Sequence, residues 1–301
     1  MTHLGEICAL LAPMGWSIAL ILFKRVQGAS PLALNLFKNT FGVVLLTATM
    51  VALRIPVPAD RSAADWARVI GSGVLGLAVA DTFLFEGLRR IGAARFALVD
   101  TTYAPMIVLL SWALYGEAPT VAILGGGAAV VLGVTVASVD PQDLRPRDLK
   151  FTGGREIAIG MAYAFLAVLG TATGVLIAKP VLVHSDLIEI TWTRLSSGLV
   201  AMMIWAALRG KLREATSAFR PGTDWKTLVP AAFFGSYLSL IFWLGGYKWA
   251  PAAVAAVLNQ LATVYILVLA RMFLNERITP RQAVGSLLAA SGALWIVWNR
   301  A

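Results

Sequence analysis

The sequence predicts an all-α integral membrane protein with ten transmembrane helices arranged as two inverted five-helix repeats. Three observations carry that prediction. Of the 301 residues, 58% are hydrophobic and only 14% charged, against about 25% charged in a soluble domain, and the mean hydropathy is +0.77. Five stretches, 118–139, 157–178, 227–247, 249–270 and 282–299, contain no Asp, Glu, Lys or Arg, and each approaches or exceeds the roughly 20 residues that cross about 30 Å of hydrocarbon. Finally, the chain aligns with itself at a shift of 155–159 residues.

Taken in order, the predicted spans begin with 4–23, which carries Glu6 and Pro13 and has no basic leader, so it reads as a membrane helix and not as a signal peptide. Span 32–53 holds Lys38, and 69–88 holds Asp81 and, near its end, Glu86. Arg89 and Arg90 stand three and four residues past Glu86, the spacing of an interfacial pair. Span 93–115 starts near Arg95, which reads as snorkelling to headgroups, and contains Asp100 and Pro105. A proline there frees a backbone carbonyl in mid-membrane and predicts a kink. Spans 121–139 and 156–178 flank a polar joint, DPQDLRPRDLKFTGGR at 140–155, which separates a first unit, 1–139, from a second, 156–301. Span 187–208 has Glu189 near its start, read as interfacial, and Arg194 deeper; spans 228–247, 251–273 and 281–298 complete the chain.

GSGVLG at 71–76 matches the G-x-G-x-x-G pattern of dinucleotide-binding folds, but that pattern requires a preceding strand within a βαβ unit. Here it lies inside a membrane span, where small residues let helices approach closely.

The self-alignment pairs GWSIALILFKR (15–25) with GTATGVLIAKP (170–180), IGAARFALVD (91–100) with APAAVAAVLN (250–259), and YGEAPT (115–120) with LNERIT (274–279). Five spans per copy is an odd number, so the second copy enters the membrane from the opposite side. Inverted repeats are the architecture of secondary transporters, with a substrate site near the midplane and alternating access by rocking of the halves.

GLAVADTFLFEGLRRIGAARFAL (76–98), YAPMIVLLSWALYGEAPT (103–120) and LATVYILVLARMFLNERITPRQAVGSLLAASGALWI (261–296) resemble the drug/metabolite transporter superfamily, and within it the ten-helix EamA-type permeases. A small-residue helix, a Gly-Glu-x-x-Thr motif and a glycine-bearing last helix appear twice, with Asn275-Glu276 standing where Gly-Glu is usual. The resemblance implies export or exchange of small polar metabolites such as amino acids, driven by ion gradients or counter-substrate, with the fifth and tenth helices peripheral. A passive channel or facilitator is the alternative.

Ionisable groups inside hydrocarbon are costly and normally face protein or water. Lys38, Asp81 and Asp100 each lie about 10 Å from the same face by helical rise, so they are expected to form a charge cluster that couples transport to protons. A structural clamp between Lys38 and one aspartate is the alternative. Arg194, the counterpart of Lys38, keeps the positive charge in the second half, whereas the counterparts of Asp81 and Asp100 are Leu240 and Asn259. Arg194 suits a substrate carboxylate, with Asn259, Gln260, Tyr103 and Trp192 as further candidate contacts; Arg194 snorkelling or binding carbonyls is the alternative. Trp16, Trp112, Tyr163, Tyr237, Trp243 and Tyr265 also lie deep, either walling a cavity or facing lipid, while Trp66, Trp225, Trp249 and Trp298 fit interfacial belts. Glu117 with Thr120, and Glu276 with Thr279, read as structural elbows; Pro280 after Thr279 makes an N-cap followed by proline at N1.

A single Cys8 with His3 and His184 supplies neither a disulfide framework, a metal site nor a catalytic constellation, so no cofactor and no enzyme activity are expected. The net charge of +9 reads as topology determinants and lipid contact, not nucleic-acid binding. Apart from Lys38 and Arg194, the odd-numbered connections hold 17 Lys and Arg, the even connections and termini six. The positive-inside rule then places both termini outside, whereas similar permeases are usually described with both inside. A multi-pass location in the cell membrane, as monomer or homodimer, is expected.

Overall fold

A computed structural model describes residues 3–26, 30–138, 154–274 and 278–299, and all its regular elements are helical. The ten predicted spans appear as α1 (Leu4–Arg25), α2 (Pro31–Leu53), α3 (Ala63–Gly92), α4 (Arg95–Tyr115), α5 (Val121–Ser138), α6 (Gly154–His184), α7 (Leu187–Leu208), α8 (Trp225–Trp249), α9 (Ala252–Phe273) and α10 (Pro280–Trp298). Among the described residues nine helices are long and apolar enough to cross a membrane; α10 falls outside that group. Most of the joint between the two units lies outside the described residues.

Local chemistry sets the ends. Ser30, with Pro31 at N1, accepts from the Ala33 amide at 3.2 Å, and Asp186 accepts from Ile188 and Glu189 at the head of α7. Thr279 and Gln282 form a reciprocal capping box that starts α10. Between α3 and α4 the chain turns at Gly92, whose φ of 75° no β-branched residue would adopt without strain.

Partners cross between the units: α1 packs on α8, α3 on α6, α2 on α7, α4 on α9 and α5 on α10. This is the pairing that a pseudo-twofold axis in the membrane plane generates. The α5–α10 pair is held by glycines. A Cβ on Gly133 would stand 2.5 Å from the Gly285 carbonyl, and one on Gly126 would stand 2.7 Å from that of Gly292, so the two backbones touch.

Two irregularities repeat in the register of the sequence alignment. Val74–Val79 in α3 and Phe233–Leu238 in α8 are π-helical. The helix of α4 stops at Asp100 and resumes at Tyr103, and that of α9 stops at Asn259 and resumes at Ala262. Broken helices at membrane depth are tolerated only where protein or a cavity satisfies the freed backbone.

Candidate functional site

A cavity of about 1090 Å³ lies between α2, α3, α6 and α7. It reaches the face at which α2 begins and α3 and α7 end, since Pro31, Arg89 and Arg209 are among its lining residues. Asp81 and Asn35 stand at its inner end, and the walls between include Leu32, Phe83, Phe85 and Met202.

Lys38 and Asp81 are brought into one network, but not as an ion pair. Asn35 donates to Asp81 Oδ2 at 2.7 Å, Asn39 donates to Asn35 Oδ1 at 3.2 Å, and Lys38 donates to Asn39 Oδ1 at 3.0 Å. Ser236, in the π-helical part of α8, also reaches Asn39 at 3.4 Å. Lys38 lies over the Trp16 ring at 5.7 Å. Two asparagines one helical turn apart therefore carry the link that the charges do not make directly. Their spacing on one face of α2 was readable in the sequence, although neither carries a charge to draw the eye.

Asp100 does not join that network. The residue is exposed, and its carboxylate makes no hydrogen bond or ion pair among the described residues. Pro105 accounts for the break beside it: it lacks the N–H that would reach Thr101, and its ring crowds that carbonyl. Thr101 and Thr102 hydroxyls turn back onto the Leu98 and Val99 carbonyls at 2.7 and 2.6 Å. Gln260, in the break of α9, donates to the Asp100 carbonyl at 3.2 Å and the Thr101 carbonyl at 3.5 Å. Asn259 bonds its own helix at Ala255. The sequence thus marked one break through Pro105, whereas the second has Val264 at the equivalent place and no such signal.

Arg194 is 1% exposed. It donates to the Ser72 hydroxyl at 2.9 Å and the Gly174 carbonyl at 3.0 Å, so it ties α3 to α6 from α7. Among the described residues its Nε and Nη2 have no hydrogen-bond partner, and its guanidinium lies 5.8 Å from the Trp243 ring. Tyr103 pairs hydroxyl to hydroxyl with the buried Tyr247 at 2.7 Å, beside Trp243. Trp192 is spent on the Thr47 hydroxyl at 2.8 Å. Tyr163 lines the cavity, whereas Trp112 is 56% exposed on the outside of the bundle.

At the opposite face ion pairs join the two units. Glu189, expected at the interface, is instead buried, because Arg61 reaches across from the start of α3 and holds it at 2.5 and 2.8 Å while Thr193 adds 2.9 Å. Arg61 also stacks on Trp66 at 4.6 Å. Glu117 is more than an elbow within its own unit: it pairs with Lys179 of α6 and accepts from the Ala252 amide that opens α9, at 3.2 Å. Lys248 caps the end of α6 through the Leu182 carbonyl at 2.9 Å and that of Ser185. Thr120 accepts from Ile123 at the head of α5, and Glu276 lies outside the described residues. The Glu86 pair forms as expected, with Arg89 at 2.6 Å and Arg90 at 2.8 Å, and Arg90 also meets Glu156.

No group of three His, Cys, Asp or Glu suited to a metal occurs among the described residues. A family model described as the EamA-like transporter family matches residues 3–139 and, again, 158–298. Among curated proteins none matches. One crystal structure superposes with a TM-score of 0.79 at 17% identity, over 98% of this chain and 97% of that one, a likeness of fold alone.

Proposed function

The chain belongs to the EamA-like transporter family, and on that premise we propose that it is a secondary active exporter or exchanger of small polar metabolites, such as amino acids, in the cell membrane. The observation that carries this reading is the asymmetry of the bundle: a cavity open at one face, with inter-unit ion pairs Arg61–Glu189 and Glu117–Lys179 at the other. Such a bundle is one of the two states that alternating access requires. By the charge bias, the open face is cytoplasmic, where an exporter loads.

Asp81, Asp100 and Lys38 are the groups whose charge couples the cycle to protons or to a counter-substrate. Arg194 meets a substrate anion only in a state in which α3 has parted from α6 and α7, since here it is enclosed. Tyr103, Asn259 and Gln260 border the same central crossing.

Purified protein in liposomes tests this. Gradient-driven accumulation or counterflow of a metabolite, reduced by Asp81→Asn and Asp100→Asn, is expected. Downhill flux without accumulation would identify a facilitator instead, and flux indifferent to both substitutions would remove the coupling assignment. Reporters fused at the C-terminus decide the orientation.

A further inference from the structure

Several of the polar groups that line the cavity are spent on neighbours. The Thr82 hydroxyl donates to the Ala78 carbonyl at 2.8 Å. Glu86 is held by Arg89 and Arg90. Asn35 gives one of its two amide hydrogens to Asp81, and its oxygen accepts from Asn39. What remains at the inner end is one carboxylate oxygen, Asp81 Oδ1, which has no hydrogen-bond partner among the described residues. Among the described residues no salt bridge joins Lys38 to Asp81, and Lys38, held by Asn39, is not among the lining residues. Much of the cavity lining is apolar or aromatic, with Leu32, Ala78, Phe83, Phe85 and Met202.

We infer that, within the class of small metabolites proposed above, this cavity selects organic amines over amino acids: an ammonium group on an apolar body, with no carboxylate on the neighbouring carbon, held by Asp81. The inference rests on the reading of the cavity as the substrate's way in. An ammonium supplies the hydrogen bonds and the charge that the free oxygen lacks, and the aromatic walls receive the body. A carboxylate adjacent to the amine would set a second negative charge close to Asp81, where the donor at hand is the neutral second N–H of Asn35 and Lys38 is not among the lining residues, an arrangement that disfavours the ligand carrying it. The basic groups Arg89, Arg209 and Lys211 lie at the exposed mouth, with Arg89 about 12 Å along α3 from Asp81 at 1.5 Å per residue. They are too distant to reach an α-carboxylate, and salt screens them. Their effect falls on the rate of capture.

Three probes that share a phenyl ring and differ in charge test this: 2-phenylethylamine, phenylalanine and 3-phenylpropionate, each titrated against the purified full chain with thermal unfolding as the readout. The amine is expected to raise the apparent Tm, with phenylalanine needing about tenfold more for the same shift and phenylpropionate giving none. Asp81→Asn is expected to weaken the amine by about tenfold or more. If Asp81→Asn does not fold, Asp81→Glu, which keeps the charge, and Leu32→Trp, which narrows the cavity from α2, carry the test; both are expected to weaken the amine. Equal stabilisation by phenylalanine or phenylpropionate overturns the inference, as does an amine effect that survives these substitutions or the absence of any amine effect. Asp81-dependent amine binding without flux would leave the site standing and remove the transport reading; flux of another solute with no response to the amine would do the reverse.

Discussion

Gln260, seated in the break of α9, donates from its side chain to the carbonyl of Asp100, the last helical residue before the break of α4, at 3.2 Å. One interrupted helix thereby satisfies the backbone released by the other. Gln260→Leu keeps much of the volume and removes the donor, leaving the Asp100 and Thr101 carbonyls short of a partner. The expected loss is about 1–2 kcal/mol, the range for a hydrogen bond inside a membrane protein, read as a lower unfolding midpoint in mild detergent. An unchanged midpoint would show that the two breaks are held by packing alone.

The Arg61–Glu189 pair has side-chain exposures of 5% and 1%. Arg61→Ala strands a buried carboxylate and is expected to destabilise by about 3–5 kcal/mol, while the double change Arg61→Met with Glu189→Met recovers most of that loss. In liposomes the double variant is expected to expose Ser185→Cys to an impermeant thiol reagent more rapidly than the parent, because Arg61 also bonds Ser185 at 3.3 Å. Labelling at the parental rate would place the seal elsewhere.

Glycine spacing along α5 allows a comparison within one helix. A Cβ at Gly133 meets the Ala289 amide nitrogen at 2.5 Å, whereas one at Gly125 meets nothing within 4 Å. Gly133→Leu is expected to cost about 1–3 kcal/mol or to pry α10 away, and Gly125→Leu to leave the unfolding midpoint unmoved. Equal effects at both positions would mean that α5 and α10 do not meet along this face.

Arg194 presents the opposite balance. It buries a charge with two unpartnered nitrogens, so Arg194→Met is expected to keep or raise thermal stability while reducing transport of any anionic solute in the liposome assay. A marked loss of stability would mean that the bonds to Ser72 and Gly174 outweigh the buried charge.

The bundle itself was legible because membrane crossing leaves a coarse mark: the predicted spans start and stop within a few residues of the helices, apart from longer ends on α3 and α6. Lys38 and Asp81 were legible as ionisable groups where none is cheap. What joins them was not, since Asn35 and Asn39 resemble ordinary polar residues until α3 is laid alongside. Arg61 and Glu189 escaped for another reason. They stand 128 residues apart in sequence, near span ends where charges are common, and only the packing of one unit on the other buries them. Pro105 foretold one break, but the matching one in α9 follows from the fold and not from a local residue.

The two π-helical segments give each unit slack. A π turn stores one residue more than an α turn requires, and Asp81 stands two residues beyond the segment Val74–Val79. Passing that surplus residue along α3 beyond Asp81 would rotate the carboxylate about its helix axis by about 100°, exchanging backbone bonds one for another. The carboxylate can in this way be turned from one side of the bundle toward another with little bulk motion. Amides of Val74 to Asp81 would then exchange with deuterium sooner than those elsewhere in α3.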